Sequence, residues 1–275
     1  MKTLTRYGLG GIAILVSGVL FLVPFAFIVL TAAKDQQESA RLEFSWPSNF
    51  QLVQNFKDVL ATRDYMVVIA FINSTILTVA SVAGMVVLAA MAGFVLQRRK
   101  SRWNPFINFL VLSGLIIPPA VVPTVWVLQS LGLFKTLGGL ILIEVAFGLS
   151  FCILLFRAFV ATIPRDLDEA AIIDGAGPVR LVFKVIFPLL KSVIVTVVIV
   201  QSVAIFNDFA NPLYFLPGDE NATVQLTVFN FQSQFRTQYN LLFADILLIT
   251  IPPLLLYLFL NKRIVEGLTA GAVKG

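Results

Sequence analysis

Long apolar segments separated by short polar segments dominate the chain. The first three carry no charged residue and run over Tyr7–Ala33, Tyr65–Gln97 and Trp103–Phe134. A helix needs roughly 20 mostly apolar residues to cross a bilayer. The pattern therefore predicts an all-α integral membrane protein whose six transmembrane helices lie at about 9–32, 66–96, 106–128, 138–160, 192–216 and 241–260.

Composition agrees with this pattern and removes several kinds of chemistry. Of the 275 residues, 58% are apolar and 13% are charged, whereas a soluble domain has about 45–50% apolar and about 25% charged residues. The chain contains no histidine and a single cysteine, Cys152. Ser-His-Asp and Cys-His catalysis, histidine-based zinc sites and internal disulfides are thus excluded. We do not expect an enzyme.

The distribution of basic residues predicts the orientation in the membrane. With the N-terminus inside, 14 of the 20 Lys and Arg residues fall in inside segments, and the cluster Arg98–Arg102 is the strongest local signal. Lys and Arg favour the cytoplasmic side of a membrane. We therefore expect cytoplasmic N- and C-termini and a single transmembrane domain over 1–275. The net charge of +5 is spread over membrane flanks, so no nucleic-acid partner is expected.

The chain carries no energy-coupling motif of its own. A phosphate-binding G-x-x-x-x-G-K-[ST] loop is absent from the sequence, so we expect this chain to bind no ATP through that motif. The acidic residues within the apolar segments are Glu144, Asp208 and Asp245. These three are compatible with an ion-coupled carrier but do not require one. Glu144 is expected near the outer end of its span, where water is close, and Asp245 near an outer helix end.

The loop at 164–188 combines helix signals with charged and small residues. Pro164 should end the fourth span, Asp166 or Asp168 can cap a new helix, and Gly175 and Gly177 should end that helix. The result is a short surface helix with a small apolar face and charged flanks. Such a helix can dock into a groove of another protein or lie on lipid headgroups, and the physical pattern does not separate these alternatives.

The same loop resembles the EAA loop of ABC importer permeases. The family pattern is EAA-x3-G-x9-I-x-L-P, and the chain matches it with Glu169-Ala170-Ala171, Gly175 and Pro188, departing only at Val185 and Phe187. This resemblance implies that the loop helix couples the membrane subunit to a cytoplasmic ATPase. The residues implied in ATPase coupling are Glu169, Ala170, Ala171, Asp174, Gly175 and Pro188.

Further segments are similar to the maltose-type family of sugar permeases. They are Asn73-Ser74, Ile117-Pro118-Pro119, Asn207-Asp208 and the ending Gly267–Gly275; many family members have Trp where this chain has Phe206. The resemblance implies a type I ABC importer permease fold in the cell membrane of a prokaryote. It also implies a heterodimer with a second permease subunit, a cytoplasmic ATPase dimer that uses ATP, and an extracytoplasmic solute-binding protein. The loop at 217–239 would contact the binding protein, and the tail at 261–275 could reach the ATPase.

Four polar residues are candidates for the translocation pathway: Asn73, Asn207, Asp208 and Asn211. An ionised group near the bilayer centre costs roughly 2.5–3.5 kcal/mol, so Asp208 should face a polar cavity or a partner. The alternative for these residues is hydrogen bonding between helices of the two permease subunits. Glu169 could likewise be a solvated acid at a helix start. The prolines over 118–123 must bend the third span, either as a hinge or as a static kink.

The sequence limits the cargo only loosely. A phosphorylated solute would call for basic groups along the pore, and no span carries Lys or Arg at its middle. A neutral sugar or oligosaccharide is therefore the favoured cargo, with glycerol phosphate or a polyamine as the alternative within the same architecture. An ion-coupled secondary carrier is the more distant alternative.

Overall fold

The computed structural model describes residues 2–232 and 237–272, the side chains of 2–9, 12 and 260–272 excepted. Within these residues the secondary structure is helical and no strand occurs. The helices are α1 Lys2–Ala32, α2 Gln36–Ser39, α3 Leu52–Ala61, α4 Met66–Arg98, α5 Asn104–Ile116, α6 Val121–Ser130, α7 Leu137–Thr162, α8 Asp166–Ile173, α9 Pro178–Arg180, a π-helix Leu181–Ile186, α10 Phe187–Leu189, α11 Lys191–Phe206, α12 Ala210–Phe215, α13 Val224–Thr227, a 3-10 helix Val228–Phe231 and α14 Tyr239–Ala272.

Among the described residues, four helical segments are long and apolar enough to cross a membrane. They are Ala13–Ala32, Met66–Arg98, Leu137–Thr162 and Tyr239–Phe259. Two bent pairs, α5 with α6 and α9–α10 with α11, would raise the number to six if each pair counts as one span. The structure thus shows an all-helical chain with four to six apolar spans.

Proline accounts for the breaks that define these elements. Helix α7 ends at Thr162, and Ile163 before Pro164 is extended, because the ring of a proline disfavours a helical conformation in the residue before it. Pro118 and Pro119 lie in the gap between α5 and α6, where the axis turns by 116°. The expected bend in the third predicted span is therefore present.

The segment at 192–216 is not one continuous helix. Helix α11 ends at Phe206, and the short helix α12 begins only at Ala210. A further bend of 78° separates α11 from the preceding helical segment. The polar residues Asn207 and Asp208 therefore lie in a helix break, where backbone groups need side-chain partners.

The chain forms two compact units, one of which contains residues 71–225 and 253–275. Its core is made by apolar side chains of α4, α6, α7, the π-helix and α11. Glycine allows close packing here: a Cβ on Gly93 of α4 would lie 2.9 Å from the Arg157 nitrogen and 3.0 Å from the Phe156 Cβ of α7. Small residues at helix contacts let backbones approach in membrane proteins.

The other unit contains residues 1–70 and 226–252 and holds a buried polar network. Lys34 is 1% exposed, and its ammonium donates to the Glu43 carbonyl at 2.7 Å and the Ser45 hydroxyl at 2.9 Å. Asn55 donates to the Ala32 and Lys34 carbonyls and accepts from Asn240 at 2.9 Å. These bonds tie α3 and the start of α14 to the segment after α1.

Large apolar side chains cover much of the outer surface of the spanning helices. Phe21 in α1 is 77% exposed, and Phe109 and Ile116 in α5 are largely exposed as well. Apolar faces of this extent are unfavourable in water. They are the surfaces that a bilayer or a second apolar protein surface would cover.

Candidate functional site

Helix α8 presents one face to the chain and the rest to solvent. Of its eight residues, only Asp168 is buried and only Ala171 is half-buried, the latter against the core. Glu169, Ala170 and Ile172 are exposed, and Ile173 is 84% exposed. Positions three apart lie on the same side of a helix, so the EAA triplet divides: Glu169 and Ala170 face outward, and Ala171 faces the core.

The end of α8 is a complete glycine cap. Gly175 has a φ of +80°, its N–H donates to the Ile172 carbonyl at 3.0 Å, and the Ala176 N–H donates to the Ala171 carbonyl at 2.9 Å. These two bonds are the pattern of the Schellman motif, in which a left-handed residue follows the helix. Gly175 is thus required by backbone conformation. Asp174 is the exposed residue between the helix and this glycine.

The start of α8 differs from the prediction that Asp166 or Asp168 caps it. Arg165 occupies the N-cap position and no side chain caps the helix there. Asp168 instead forms an ion pair with Arg98, the last residue of α4, with 2.7 Å between its Oδ2 and the Arg98 Nε. The prediction of an acidic cap is wrong because Asp168 turns toward the chain, where a cation is available.

The remainder of the loop anchors it to the core. Leu181, Val182 and Ile186 of the π-helix are buried, and Val185 and Phe187, the two positions that depart from the family pattern, pack against the core. Pro188 is exposed within α10. The loop therefore has a fixed base and an exposed tip.

A polar cluster forms where α11 breaks. The Asp208 carboxylate accepts hydrogen bonds from the N–H groups of Ala210, at 2.9 Å, and Asn211, at 3.3 Å. The Asn211 amide donates to Glu144 Oε1 on α7 at 3.0 Å. Asp208 and Asn211 are each half-buried. The structure thus brings Asp208 and Asn211 together with a third polar residue, Glu144.

The other two pathway candidates lie in different surroundings. Asn207 is exposed, and its amide donates to the Val203 carbonyl at 2.9 Å and accepts from Gln225 at 3.3 Å. Asn73 on α4 is half-buried and donates to the Ala222 carbonyl at 3.2 Å. Asn73 therefore makes a hydrogen bond within the chain, to the loop between α12 and α13.

Two acids are more buried than their expected place near water implies. Glu144 is 6% exposed and Asp245 is 0% exposed. Asp245 does lie in the second turn of α14, and its carboxylate accepts from the Thr227 hydroxyl at 2.9 Å. Glu144 likewise lies in the second turn of α7, as expected for a residue near the end of its span, but Asn211 of α12 contacts it and little of the side chain is exposed. The sequence did not predict the contacts that Arg98, Asp168 and Glu144 make. Only Glu144 carried a signal, as a lone charge within an apolar segment.

The structure describes only part of the loop at 217–239 and of the tail at 261–275, the two segments predicted to contact partner proteins. Among the described residues of the loop, an open depression of about 540 Å³ is lined by Lys135, Pro217, Gly218, Asp219, Glu220 and Asn221. Residues 233–236 of that loop and the tail side chains at 261–275 lie outside the described part of the structure. In the described residues, no group of three or more Cys, Asp or Glu could hold a metal ion.

Several apolar spans in an all-helical chain are the architecture of a multi-pass membrane protein. The chain belongs to the family described as "Binding-protein-dependent transport system inner membrane component", whose model matches residues 85–269. It is accordingly a multi-pass membrane protein of a prokaryote and a permease of a binding-protein-dependent importer.

Similar proteins are named for sugar import. The chain is 30% identical to the melibiose/raffinose/stachyose import permease of Bacillus subtilis, with 92% of this chain and 91% of that protein covered. It is 31% identical to the multiple sugar-binding transport system permease of Streptococcus mutans, with 94% of each covered. In fold it is similar to a chain of a bacterial ABC transporter involved in alginate import, with a TM-score of 0.81, 19% identity, and 95% of this chain and 98% of that chain covered.

Proposed function

We propose that this chain is one of two different permease subunits of an ABC importer that carries a sugar or oligosaccharide into the cell. The observation that carries the proposal is the outward face of α8, where Glu169, Ala170 and the exposed Ile172 and Ile173 project from a base anchored in the core. A helix with exposed apolar anchors beside a charge fits a groove of a partner protein. The family and the names of the similar permeases support the sugar cargo.

The membrane arrangement that we propose has six spans and cytoplasmic termini, as in a type I importer. Each bent helix pair then counts as one span, which adds two to the four long apolar segments. The bias of Lys and Arg supports this orientation and places α8 on the cytoplasmic side. The chain is proposed as a single permease domain over 1–275, set in the lipid bilayer without a nucleic-acid partner.

The proposed mechanism assigns the energy step to another protein. ATP binding closes a cytoplasmic ATPase dimer, α8 moves with the ATPase surface on which it docks, and the spans switch from inward-open to outward-open. A solute-binding protein delivers the sugar outside, and the loop at 217–239 contacts it. This chain binds no cofactor and catalyses no reaction in the scheme.

The translocation pathway is proposed to include Asn207, Asp208 and Asn211, with Asn73 as the fourth candidate. Amide and carboxylate groups can exchange hydrogen bonds with sugar hydroxyls. The break in α11 supports the proposal, because irregular backbone at membrane depth is tolerated where it is buried in protein or lines a cavity.

The coupling assignment is tested by Glu169→Lys and Ile173→Asp in the complex purified through this chain. Burying one large apolar side chain contributes about 1.5–3 kcal/mol. Loss of the Ile173 side chain from the contact should therefore lower the affinity for the ATPase roughly ten- to hundredfold. We expect both variants to lose ATPase co-purification and ATP-driven uptake. The matched control is Glu43→Lys, a charge reversal on the proposed outer side, which should retain both.

Wild-type ATPase association and uptake in both loop variants would refute the coupling role of α8. The cargo is tested separately by identifying the co-purified binding protein and measuring its thermal stabilisation by a sugar panel. A sugar that stabilises it and stimulates ATP hydrolysis by the complex supports the assignment. Stabilisation only by a non-sugar solute contradicts it.

A further inference from the structure

On the side of α8 that faces away from the proposed ATPase, one guanidinium adds an ionic contact to the packing of Ala171 against the core. Arg98 pairs with Asp168 in the first turn of α8 at 2.7 Å. Its Nη2 also donates to the carbonyl of Ile163, the residue after α7, at 2.8 Å. One side chain therefore joins the end of α4, the end of α7 and the start of α8. We call Arg98 and Asp168 the clamp.

The clamp is well shielded from solvent. The side chains of Arg98 and Asp168 are each 12% exposed, whereas their charged neighbours Arg99, Lys100 and Glu169 are exposed. An ion pair in these surroundings is screened by salt much less than a surface pair. It can therefore keep its geometry when the exposed part of α8 is loaded by a partner.

The shape of the arginine side chain lets it make an ion pair and a hydrogen bond with two different elements at once. Guanidinium is a planar, rigid fork of donors, whereas the lysine ammonium is a point charge on a flexible stem. Arg98 Nε lies 2.7 Å from the Asp168 carboxylate as an ion pair without hydrogen-bond geometry, and Nη2 donates a hydrogen bond to the Ile163 carbonyl. The position of α8 is thereby fixed relative to the ends of two spanning helices at once.

Helix α4 extends from the clamp toward a candidate pathway residue, so a movement at the clamp can be passed along it. It has 33 residues, which at about 1.5 Å per residue is a length of roughly 50 Å. Its described side chains include Asn73, one of the pathway candidates, 25 positions before Arg98. A movement of α8 that pulls on Asp168 therefore acts on the end of a helix that carries a candidate pathway residue.

We propose that Arg98 and Asp168 are positioning residues that transmit the movement of α8 to α4 during transport. The inference rests on the proposed coupling role of α8 and names the contact by which the displacement leaves that helix. Neither residue contacts the cargo or ATP in this scheme. The pair sets how many ATP molecules are hydrolysed for each solute imported.

The test measures the ratio of ATP hydrolysed to solute imported by the whole complex in proteoliposomes. Arg98→Gln and Asp168→Asn should keep the ATPase bound and hydrolysing while uptake falls at least tenfold, so that the ratio rises by about the same factor. Arg98→Lys, which keeps the charge but cannot reproduce both contacts of the fork, should give an intermediate ratio. The control is Arg99→Gln, one residue away and exposed, with an unchanged ratio.

A charge swap tests whether the effect of the single variants comes from the pairing of these two side chains. The double variant Arg98→Asp with Asp168→Arg should recover part of the coupling that each reversal alone removes. An unchanged ratio in Arg98→Gln and Asp168→Asn refutes the clamp, and so does a loss of ATPase association that the swap does not restore. If Glu169→Lys abolishes association while the clamp variants stay coupled, only this inference fails. If neither Glu169→Lys nor Ile173→Asp has an effect, the coupling role of α8 fails, and this inference fails with it.

Discussion

The hydrogen bond between Asn211 and Glu144 makes the contribution of each residue to stability depend on the other. Glu144 is buried, and the Asn211 amide donates to its carboxylate at 3.0 Å. Removing one partner of a buried hydrogen bond leaves the other unsatisfied, at a cost of about 1–3 kcal/mol or more for a charged group. The pair therefore permits a test at the scale of single residues.

We expect Asn211→Leu to destabilise the protein by about 1–3 kcal/mol, and Glu144→Leu added to it to restore part of the loss. The measurement is thermal unfolding of the purified protein in a double-mutant cycle. The concentration dependence of sugar uptake is measured as well. If Asn211 lines the pathway, the apparent affinity for sugar should change even in the stabilised double variant. Additive stability changes would show that the two side chains do not interact, and unchanged affinity would leave Asn211 a structural residue only.

For single residues, the sequence predicted some structural roles correctly and others wrongly. Gly175 was expected to end a helix, and its positive φ supports that reading. Asp168 was assigned to the wrong partner, because a capping rule considers only the local backbone. Its actual partner, Arg98, is 70 positions away, and only folding brings the two together.

Helix α8 is the element whose geometry is most sensitive to a single backbone position. Gly175 and Gly177 are two residues apart, and a Cβ on either would meet nothing within 4 Å. Only Gly175 has a positive φ, of +80°, whereas Gly177 has a φ of −69°. The two positions form a matched pair in which backbone conformation is the difference.

We expect Gly175→Ala to strain the cap of α8 by about 1–3 kcal/mol and to reduce uptake, because the cap sets where the exposed face of the helix ends. Gly177→Ala should leave uptake near the wild-type level. Uptake and ATPase association of the two variants, compared at equal expression, are the measurements. Equal losses in both variants would mean that any side chain in this turn is harmful and that the left-handed conformation is not the cause.

The elements themselves follow closely from apolar pattern and proline. Pro118 and Pro119 were expected to bend the third segment, and the axis turns by 116° there. The break after Phe206 was not expected, because Asn207 and Asp208 are followed at once by further apolar residues. A break that depends on a side chain bonding to the next turn, as Asp208 does, leaves little mark on hydropathy.

At the scale of the whole molecule, the orientation across the membrane is open to a direct test. The native thiol, Cys152, is buried and 0% exposed, so an introduced cysteine can be labelled selectively. Trp46 is exposed in the segment after α1, and Lys100 is exposed between α4 and α5. The proposed topology puts these two positions on opposite sides of the membrane.

We expect a membrane-impermeant maleimide to label Trp46→Cys in intact spheroplasts, and to label Lys100→Cys only after the membrane is opened. The wild-type chain, with Cys152 alone, is the control and should stay unlabelled in both conditions. Labelling of both positions from the same side would contradict an odd number of crossings between them, and the reverse pattern would contradict the cytoplasmic termini.

Apolar pattern and motif spacing were enough to predict a helical membrane protein, its apolar segments, and a loop helix with the EAA pattern. These properties depend on local composition and on spacing within one or two helical turns, so they can be read along the chain. The tertiary structure decided which face of α8 is exposed, that Arg98 holds Asp168, and that Asn211 covers Glu144. The physical reason is that a buried charge needs a partner, and the partner is fixed by the packing of helices that are distant in sequence.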